Sequence, residues 1–198
     1  HSGEIRATSV AVDAAGRVVL AAQTDEILEG NALVSVDNGQ GRGGRVEITG
    51  ERVALLGGAS VNASGPAGGG TILVGGDYQG GNPAIRNSAQ TFVGTDVSLR
   101  ADAGEYGNGG KVIVWADGTT RFFGSLSARG GILGGNGGLA EVSGKQNLTF
   151  AGTADLGSVF GKTGSLLLDP DDLYVGAVQG GATEDTTDPF GASGGADF

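Results

Sequence analysis

Histidine and cysteine are almost missing from this chain of 198 residues. There is no cysteine, and the only histidine is His1. The missing cysteines exclude disulfide bonds, thiolate metal sites and cysteine nucleophiles, and catalytic triads lack the histidine that serves as their base. Only twelve residues are lysine or arginine, and the net charge is −10. A surface that neutralises phosphates has few cations to draw on, so we expect no nucleic acid partner.

Long apolar runs and prolines are also scarce. No run of eighteen consecutive apolar residues occurs, so we expect no transmembrane helix and no membrane insertion. The first residues lack the charged and then apolar leader of a signal peptide, and we interpret the chain as a piece of a longer protein. The four prolines and the absence of a Gly-X-Y repeat exclude collagen.

Glycine is in excess, with 42 residues against a usual share of about 7%. A glycine, one spacer residue and an apolar-x-apolar triplet recur along the chain, and residues 109–115 show the pattern most clearly. The spacings between successive marker glycines are 28, 26, 40, 28 and 26 residues. A regular period in this range predicts a solenoid. The marker glycines are Gly16, Gly44, Gly70, Gly110, Gly138 and Gly164.

The segment after each marker glycine alternates with a period of two. The second and fourth residues after the glycine are apolar in all six copies, which predicts two interior columns of stacked side chains. Two further short apolar segments follow in each copy, so three short strands per coil is the simplest description. The third residue varies and is predicted to face outward; it is Val19, Glu47, Leu73, Ile113, Glu141 or Leu167.

Two stretches depart from the repeat. The third copy carries an insertion at about residues 78–90, which we predict to leave the stack as a surface loop. Residues 178–198 are poor in large apolar side chains, and we interpret them as a linker or disordered tail that follows a repeat domain at 1–177.

The corners and the aromatic residues give two further expectations. Asn108 and Asn136 are predicted to occupy turn positions where the left-handed backbone conformation is tolerated. Phe122, Phe123 and Phe150 are predicted to stack inward and to add to the burial in a narrow coil.

Four glycine-rich phrases occur in order, at residues 69–77, 110–117, 140–145 and 164–170. Together they resemble the filamentous-haemagglutinin family, large bacterial exoproteins exported by two-partner secretion. The resemblance covers roughly residues 16–175. It implies a right-handed parallel β-helix that passes through an outer-membrane transporter and acts in adhesion or matrix building. The Asn-Pro-Asn-Gly-Ile type motif of the family's secretion domain is absent from this sequence, so we place the chain after that domain.

The repeat and the resemblance together predict an all-β fold, a right-handed parallel β-helix of about six coils with three short strands per coil. We expect a non-catalytic shaft segment of a secreted or surface-bound exoprotein, active in adhesion, biofilm or matrix formation. Its expected partners are surface glycans or proteins, matrix polysaccharide and, during export, the transporter. We expect no cofactor. The unpaired strand edges of a terminal coil make end-to-end self-association a further expectation.

A β-helical polysaccharide-binding or polysaccharide-degrading protein is the alternative. Parallel β-helices support such activities with paired carboxylates, or with a carboxylate and a cation, on one outer face. The outward residues place no acid pair on adjacent coils, and we assign no catalytic residue. Tyr106 is a further candidate for stacking on a sugar, whereas Trp115 is expected to pack under the insertion. The candidate ligand contacts beside the insertion are Asp77, Tyr78, Lys111, Trp115, Asp117 and Arg121.

Two other motifs carry little chemistry. Residues 157–163 resemble a phosphate-binding loop, but the spacing between the glycines is one residue short and a strand follows where a helix is required. Asp169, Asp171 and Asp172 could hold a hard cation such as calcium together with backbone carbonyls. Because a capped turn with solvated acids is the simpler explanation, we assign no metal site.

Overall fold

A computed structural model describes residues 3–6 and 16–175 of the chain. These residues form eighteen strands in three parallel sheets of six strands each. Sheet 1 contains β2 (Arg17–Ala21), β5 (Arg45–Thr49), β8 (Thr71–Val74), β11 (Lys111–Ala116), β14 (Leu139–Gly144) and β17 (Ser165–Leu167). Sheet 2 contains β3 (Asp25–Leu28), β6 (Arg52–Leu55), β9 (Gln90–Val93), β12 (Thr119–Phe122), β15 (Asn147–Phe150) and β18 (Asp172–Val175). Sheet 3 contains β1 (Glu4–Arg6), β4 (Leu33–Ser35), β7 (Ser60–Asn62), β10 (Ser98–Arg100), β13 (Ser125–Ser127) and β16 (Thr153–Asp155).

The chain visits sheets 1, 2 and 3 in turn, and each such round is one coil. Coil 1 runs from β2 to β4, coil 2 from β5 to β7, coil 3 from β8 to β10, coil 4 from β11 to β13 and coil 5 from β14 to β16. β1 precedes these five complete coils, and β17 and β18 follow them. The predicted all-β parallel β-helix with three strands per coil is therefore confirmed. Six rungs per sheet correspond to about five full turns. No helix in the described ranges has the length and apolarity needed to cross a membrane.

The strand register confirms the interior columns predicted for sheet 1, except at the last rung, where Leu166 is 39% exposed because no further coil covers it in the described residues. Val46, Ile72, Val112 and Ala140 are aligned on successive strands, and none of their surface is exposed. The parallel column of Ile48, Val74, Val114 and Val142 is equally buried. These side chains meet the inward residues of sheets 2 and 3 in one continuous apolar core. Because equivalent residues stack on one another, the core extends through the coils as a column of like side chains.

The phenylalanine residues divide between the inside and the outside of the coil. Phe122 and Phe150 stack in the interior with ring centroids 5.4 Å apart and planes 5° from parallel, as predicted. Phe123 belongs to an outer cluster with Phe92, whose ring centroid lies 5.7 Å away. The prediction that Phe123 also faces inward is wrong, because successive side chains at a strand end point to opposite faces.

The marker glycines are required by the close stacking of the coils. A β-carbon placed on Gly44, Gly70, Gly110 or Gly138 would lie 2.1 Å from the carbonyl oxygen of the marker glycine one coil earlier. A β-carbon on Gly164 would lie 2.0 Å from the oxygen of Gly138. No side chain fits at such distances, so the repeat glycine marks the corner where backbone stacks directly on backbone.

Asn108 and Asn136 differ from the prediction. Among the described residues, Gln79 is the only non-glycine residue with a positive φ, so neither asparagine is left-handed. Instead, Asn108 Oδ1 accepts a hydrogen bond from Asn136 N at 2.8 Å, and Asn136 Oδ1 accepts one from Lys162 N at 2.8 Å. The asparagines therefore form a ladder between coils, a use of the amide that depends on stacking and not on local turn preference.

The insertion leaves the stack between sheets 1 and 2. In the other coils, two to four residues connect these sheets, whereas residues 75–89 separate β8 from β9. A short 3-10 segment, Tyr78–Gly80, lies within it. The predicted linker or tail at 178–198 falls outside the described residues.

Replacing a marker glycine will test the stacking constraint. We expect Gly110→Ala to lower the free energy of unfolding by more than about 3 kcal/mol, since its β-carbon would overlap the oxygen of Gly70. Gly39→Ala is the matched control, because a β-carbon there meets no atom within 4 Å. Urea unfolding followed by circular dichroism measures both variants, and equal stabilities would contradict the constraint.

Candidate functional site

The insertion folds back over the outer face of sheet 1. The outward column of that sheet runs through Glu47, Leu73, Ile113 and Glu141, and each of these residues is at least 97% buried. Ile85 of the insertion packs on Leu73, Ile113 and Trp115. The variable column faces outward as predicted, but the insertion covers it and creates a second, smaller core outside the coil.

Asp77 anchors the beginning of the insertion. Its Oδ1 accepts hydrogen bonds from Tyr78 N at 2.8 Å and from Lys111 Nζ at 2.6 Å. Its Oδ2 accepts one from Asn82 Nδ2 at 2.9 Å, which closes the loop on itself. Gln79 follows with a φ of 53° and donates its backbone N–H to Glu141 Oε2 at 2.9 Å. Asp77 of the insertion therefore binds coil 4 through Lys111, and Glu141 of coil 5 binds the insertion through Gln79.

Trp115 lies beneath the insertion, as expected from the sequence. Its side chain is buried, and its Nε1 donates to Asp117 Oδ1 at 3.1 Å. Asn87 Nδ2 donates to the same oxygen at 3.0 Å. A β-carbon on Gly76 or Gly80 would lie 2.7 Å from the indole ring. The two glycines thus let the insertion lie flat on the ring.

Arg86 and Ser88 hold the far end of the insertion. Arg86 donates to the carbonyl oxygens of Ala22, at 3.3 Å, and Gln23, at 2.9 Å, and it pairs with Glu51. Ser88 Oγ donates to Gly50 O at 2.9 Å. These contacts reach coils 1 and 2, so the insertion is tied to coils on both sides of its own.

Charges of alternating sign line the edge of the site. Arg17 Nε and Nη2 donate to the two oxygens of Glu47 at 3.1 and 3.0 Å. Arg45 Nε donates to Glu47 Oε1 at 2.5 Å, and Arg45 Nη2 lies 4.0 Å from Asp77 Oδ2. Lys111 then pairs with Asp77. The five side chains form one network over the first four coils, which satisfies two buried carboxylates with three cations.

The pKa values of the buried carboxylates are shifted in opposite directions. Burial alone raises the pKa of Asp77, but the hydrogen bonds from Asn82, Lys111 and Tyr78 N outweigh it and lower the pKa to about 2. For Glu47, burial is likewise outweighed by Arg17 and Arg45, and the pKa is lowered. Burial raises the pKa of Glu141, since its bond to Gln79 N does not offset the desolvation and its Oε1 has no hydrogen-bond partner.

The structure brings together five of the six candidate contacts. Asp77, Tyr78, Lys111, Trp115 and Asp117 lie at the insertion, where the Lys111 ammonium lies 6.0 Å from the centroid of the partly exposed Tyr78 ring.

Arg121 lies elsewhere, on the outer face of sheet 2 between Phe92 and Thr149. Sequence reasoning missed the parts that Arg45, Glu47 and Glu141 take in the site. The sequence signal that could have revealed them is the pair of glutamates, Glu47 and Glu141, at an outward column position that is apolar in the other copies.

Asp169 and Asp171 of the acidic cluster lie between β17 and β18, beyond coil 5. In the described ranges, no three histidine, cysteine, aspartate or glutamate side chains are grouped so that they could hold a metal ion. Asp169 N instead donates to Ser143 Oγ at 3.2 Å.

Asp77 gives the stability of the protein a specific pH dependence. Because its folded pKa of about 2 lies below its ordinary 3.8, ionised Asp77 stabilises the fold above about pH 4. This contribution is lost as the pH falls from about 4 to 2, and we expect it to amount to about 2 kcal/mol. Urea unfolding between pH 5 and 2 should show a shallower loss for Asp77→Asn than for the natural protein. The exposed Asp96 supplies the control Asp96→Asn, which should keep the natural slope; a natural slope in Asp77→Asn would contradict this role.

Trp115 is expected to hold the insertion closed. Trp115→Ala removes the ring on which Gly76 and Gly80 rest, so local opening should expose the bond after Arg86 to trypsin. We expect cleavage there to become roughly tenfold faster in limited proteolysis. Phe123→Ala is the comparison, because it deletes a buried outer aromatic of sheet 2 that does not contact the insertion cluster. Equal cleavage rates in the two variants would contradict the role of Trp115.

Comparison with known proteins identifies a solved structure with a similar fold. No protein-family model matches the chain, and no curated protein sequence matches it. Among solved structures, it is similar to the HMW1 secretion domain from Haemophilus influenzae, with 29% sequence identity and a TM-score of 0.67. The match covers 85% of this chain and 43% of that domain, so the chain spans less than half of its length. The β-helix of this chain is therefore similar in fold to part of a secretion domain.

Proposed function

We propose that this chain is a segment of a filamentous-haemagglutinin family exoprotein that is exported by two-partner secretion and acts as a non-catalytic, adhesive shaft at the bacterial surface. The observation that carries the proposal is the shared β-helix with the HMW1 secretion domain, at 29% identity over 85% of the chain. The ordered set of glycine-rich phrases supports the same family. We further propose that the segment follows the secretion domain of its own protein, whose signature motif it lacks.

The construction of the coils suits a shaft. Each coil joins its neighbours through three parallel sheets and through continuous interior columns. A repeat array of this kind gains stability from every added neighbour, so its length can grow without a larger core. Adhesion and matrix building need such length, because they place a binding surface away from the cell.

The composition suits export through a pore. A chain without cysteine carries no disulfide bonds that would hold it folded during passage. Because each coil needs only its neighbour to become stable, folding can proceed coil by coil as the chain emerges.

The contacts of the acidic side chains favour a structural role over polysaccharide cleavage. A glycoside hydrolase needs two carboxylates that are free to act on one bond. Asp77 is held by Lys111, Asn82 and the backbone of Tyr78. Asp117 accepts from Trp115 and Asn87. Both carboxylates serve the attachment of the insertion.

Export is the first property to test. In the source bacterium, deletion of the gene for the proposed outer-membrane transporter should remove the chain from the cell surface, as detected by antibody labelling of intact cells. Complementation with the transporter gene should restore the labelling. Undiminished surface labelling without the transporter would contradict the proposed route.

Cleavage is tested separately on the purified chain. Incubation with acidic and neutral polysaccharides should release no reducing ends above the background of a heat-denatured sample. Release that disappears in Asp77→Asn or in Asp117→Asn would contradict the non-catalytic role and favour the enzymatic alternative.

A further inference from the structure

Large apolar side chains are exposed along one edge of the β-helix, where the chain passes from sheet 3 to sheet 1. Tyr106, at 56% exposure, and Phe160, at 74%, are the aromatic members of this edge. Ile132, Leu133 and Val159 are exposed between them. The loops that carry these residues stack directly, since Leu133 N donates to Glu105 O at 2.8 Å and Ser158 Oγ to Gly135 O at 2.5 Å. The exposed residues therefore form one continuous ridge, of a kind that marks interaction sites.

The two rings of the ridge occupy equivalent positions. Tyr106 and Phe160 each lie four residues before a marker glycine, and Gly134 takes that position in the coil between them. Tyr106 and Gly134 are aligned by a parallel bridge. At the ordinary spacing of adjacent strands, the rings lie roughly 10 Å apart along the axis. The missing side chain at Gly134 leaves open space between them.

A row of hydrogen-bond donors runs beside the rings. Asn108, Asn136 and Lys162 each lie two residues before a marker glycine. Because Oδ1 of each asparagine accepts a backbone N–H of the next coil, the orientation of each amide is set. Neither Nδ2 group has a hydrogen-bond partner among the described residues, and both side chains are exposed. Successive coils thus present two amide donors and one ammonium group, with no acceptor in the row.

The donor row forms one wall of a groove of about 860 Å³ that runs along the marker glycines. Arg42, Arg45 and Lys111 also line this groove, and no aspartate or glutamate is among its lining residues. Three of the groove's cations already pair with Glu47 or Asp77, whereas Arg42 donates to Gly69 O and Lys162 is exposed. In a chain of net charge −10, this groove is a local positive surface, while the exposed Glu105 lies on the other side of the ridge, where Ile132 and Val159 line a second groove.

We infer that this edge binds a linear carboxylated polysaccharide lengthwise, with sugar rings on Tyr106 and Phe160 and the carboxylates facing Asn108, Asn136 and Lys162. A polymer with a regular sugar repeat matches side chains that recur at a fixed rise along the axis. Each uronate has an apolar ring face, which fits an aromatic ring, and a carboxylate, which fits a hydrogen-bond donor. The inference rests on the proposed adhesive function and names its ligand class. A second copy of this chain that paired through the same edge is a poorer occupant, since it would set cations and amide donors against one another.

The test is affinity electrophoresis of the full chain through native gels that contain polygalacturonate, alginate or hyaluronate. We expect at least one of the three polymers to retard the protein, and its carboxyl-reduced form to retard the protein much less. The double variant Tyr106→Ala/Phe160→Ala should bind about tenfold more weakly, because two ring faces lose their burial. Lys162→Ala should weaken binding at low salt and reduce its dependence on ionic strength.

The control is Val19→Ala/Lys145→Ala, which removes an exposed apolar side chain and a cation away from the ridge and should leave retardation unchanged. Unfolding free energies establish that all variants are folded. Retardation by none of the polymers, or equal retardation of the natural protein and the ridge variant, would overturn the inference. So would a dimer in light scattering that only the ridge variant abolishes, in the absence of polysaccharide binding.

The electrophoresis and the export experiment fail independently. Loss of surface labelling without the transporter leaves the export route supported even if no polymer is bound. If the chain binds a polymer but reaches the surface without the transporter, the inference about the ridge is retained and the export route is overturned.

Discussion

The architecture depends on how closely the backbone of one coil approaches the next at the glycine corner. Between marker glycines, the space for a β-carbon is already filled by a carbonyl oxygen at 2.0 to 2.1 Å. This contact sets the register of sheet 1, because the residues that follow the glycine must then align strand by strand. The interior columns of valine, isoleucine and alanine follow from that register. A constraint on one atom per coil thus propagates into the whole core.

The insertion shows what such a scaffold allows. A coil whose three strands are held on both sides tolerates a connection of fifteen residues, 75–89, at a corner where the other coils use two to four. The added segment then converts an outer face into a covered one, with Trp115 and Ile113 beneath it. Its polar contacts join Asp77 of the insertion to Lys111 of sheet 1, and Gln79 of the insertion to Glu141 of sheet 1. The site therefore combines residues of the insertion with side chains at ordinary repeat positions of the sheet.

Much of the fold was accessible from the sequence, because the marker glycines and the alternation after them report directly on backbone stacking. The insertion was visible as a break in the period. The burial of Glu47 and Glu141 was not predictable, since it depends on the path of the insertion across other coils. The role of Asn136 was not predicted, because the prediction rested on local turn preference, whereas its hydrogen bond to the next coil depends on how the coils stack. The alignment of Tyr106 with Gly134 emerges only when positions are counted backward from the marker glycine.

The ties made by the insertion have a mechanical consequence. Force applied along the axis of a β-helix separates its rungs, and each rung is held to the next by hydrogen bonds that can open one after another. Residues 75–89 hold Gln23 of coil 1, Gly50 after β5, Lys111 of coil 4 and Glu141 of coil 5 at the same time. The insertion therefore connects these coils directly, and the coils beneath it can separate only after its contacts have broken.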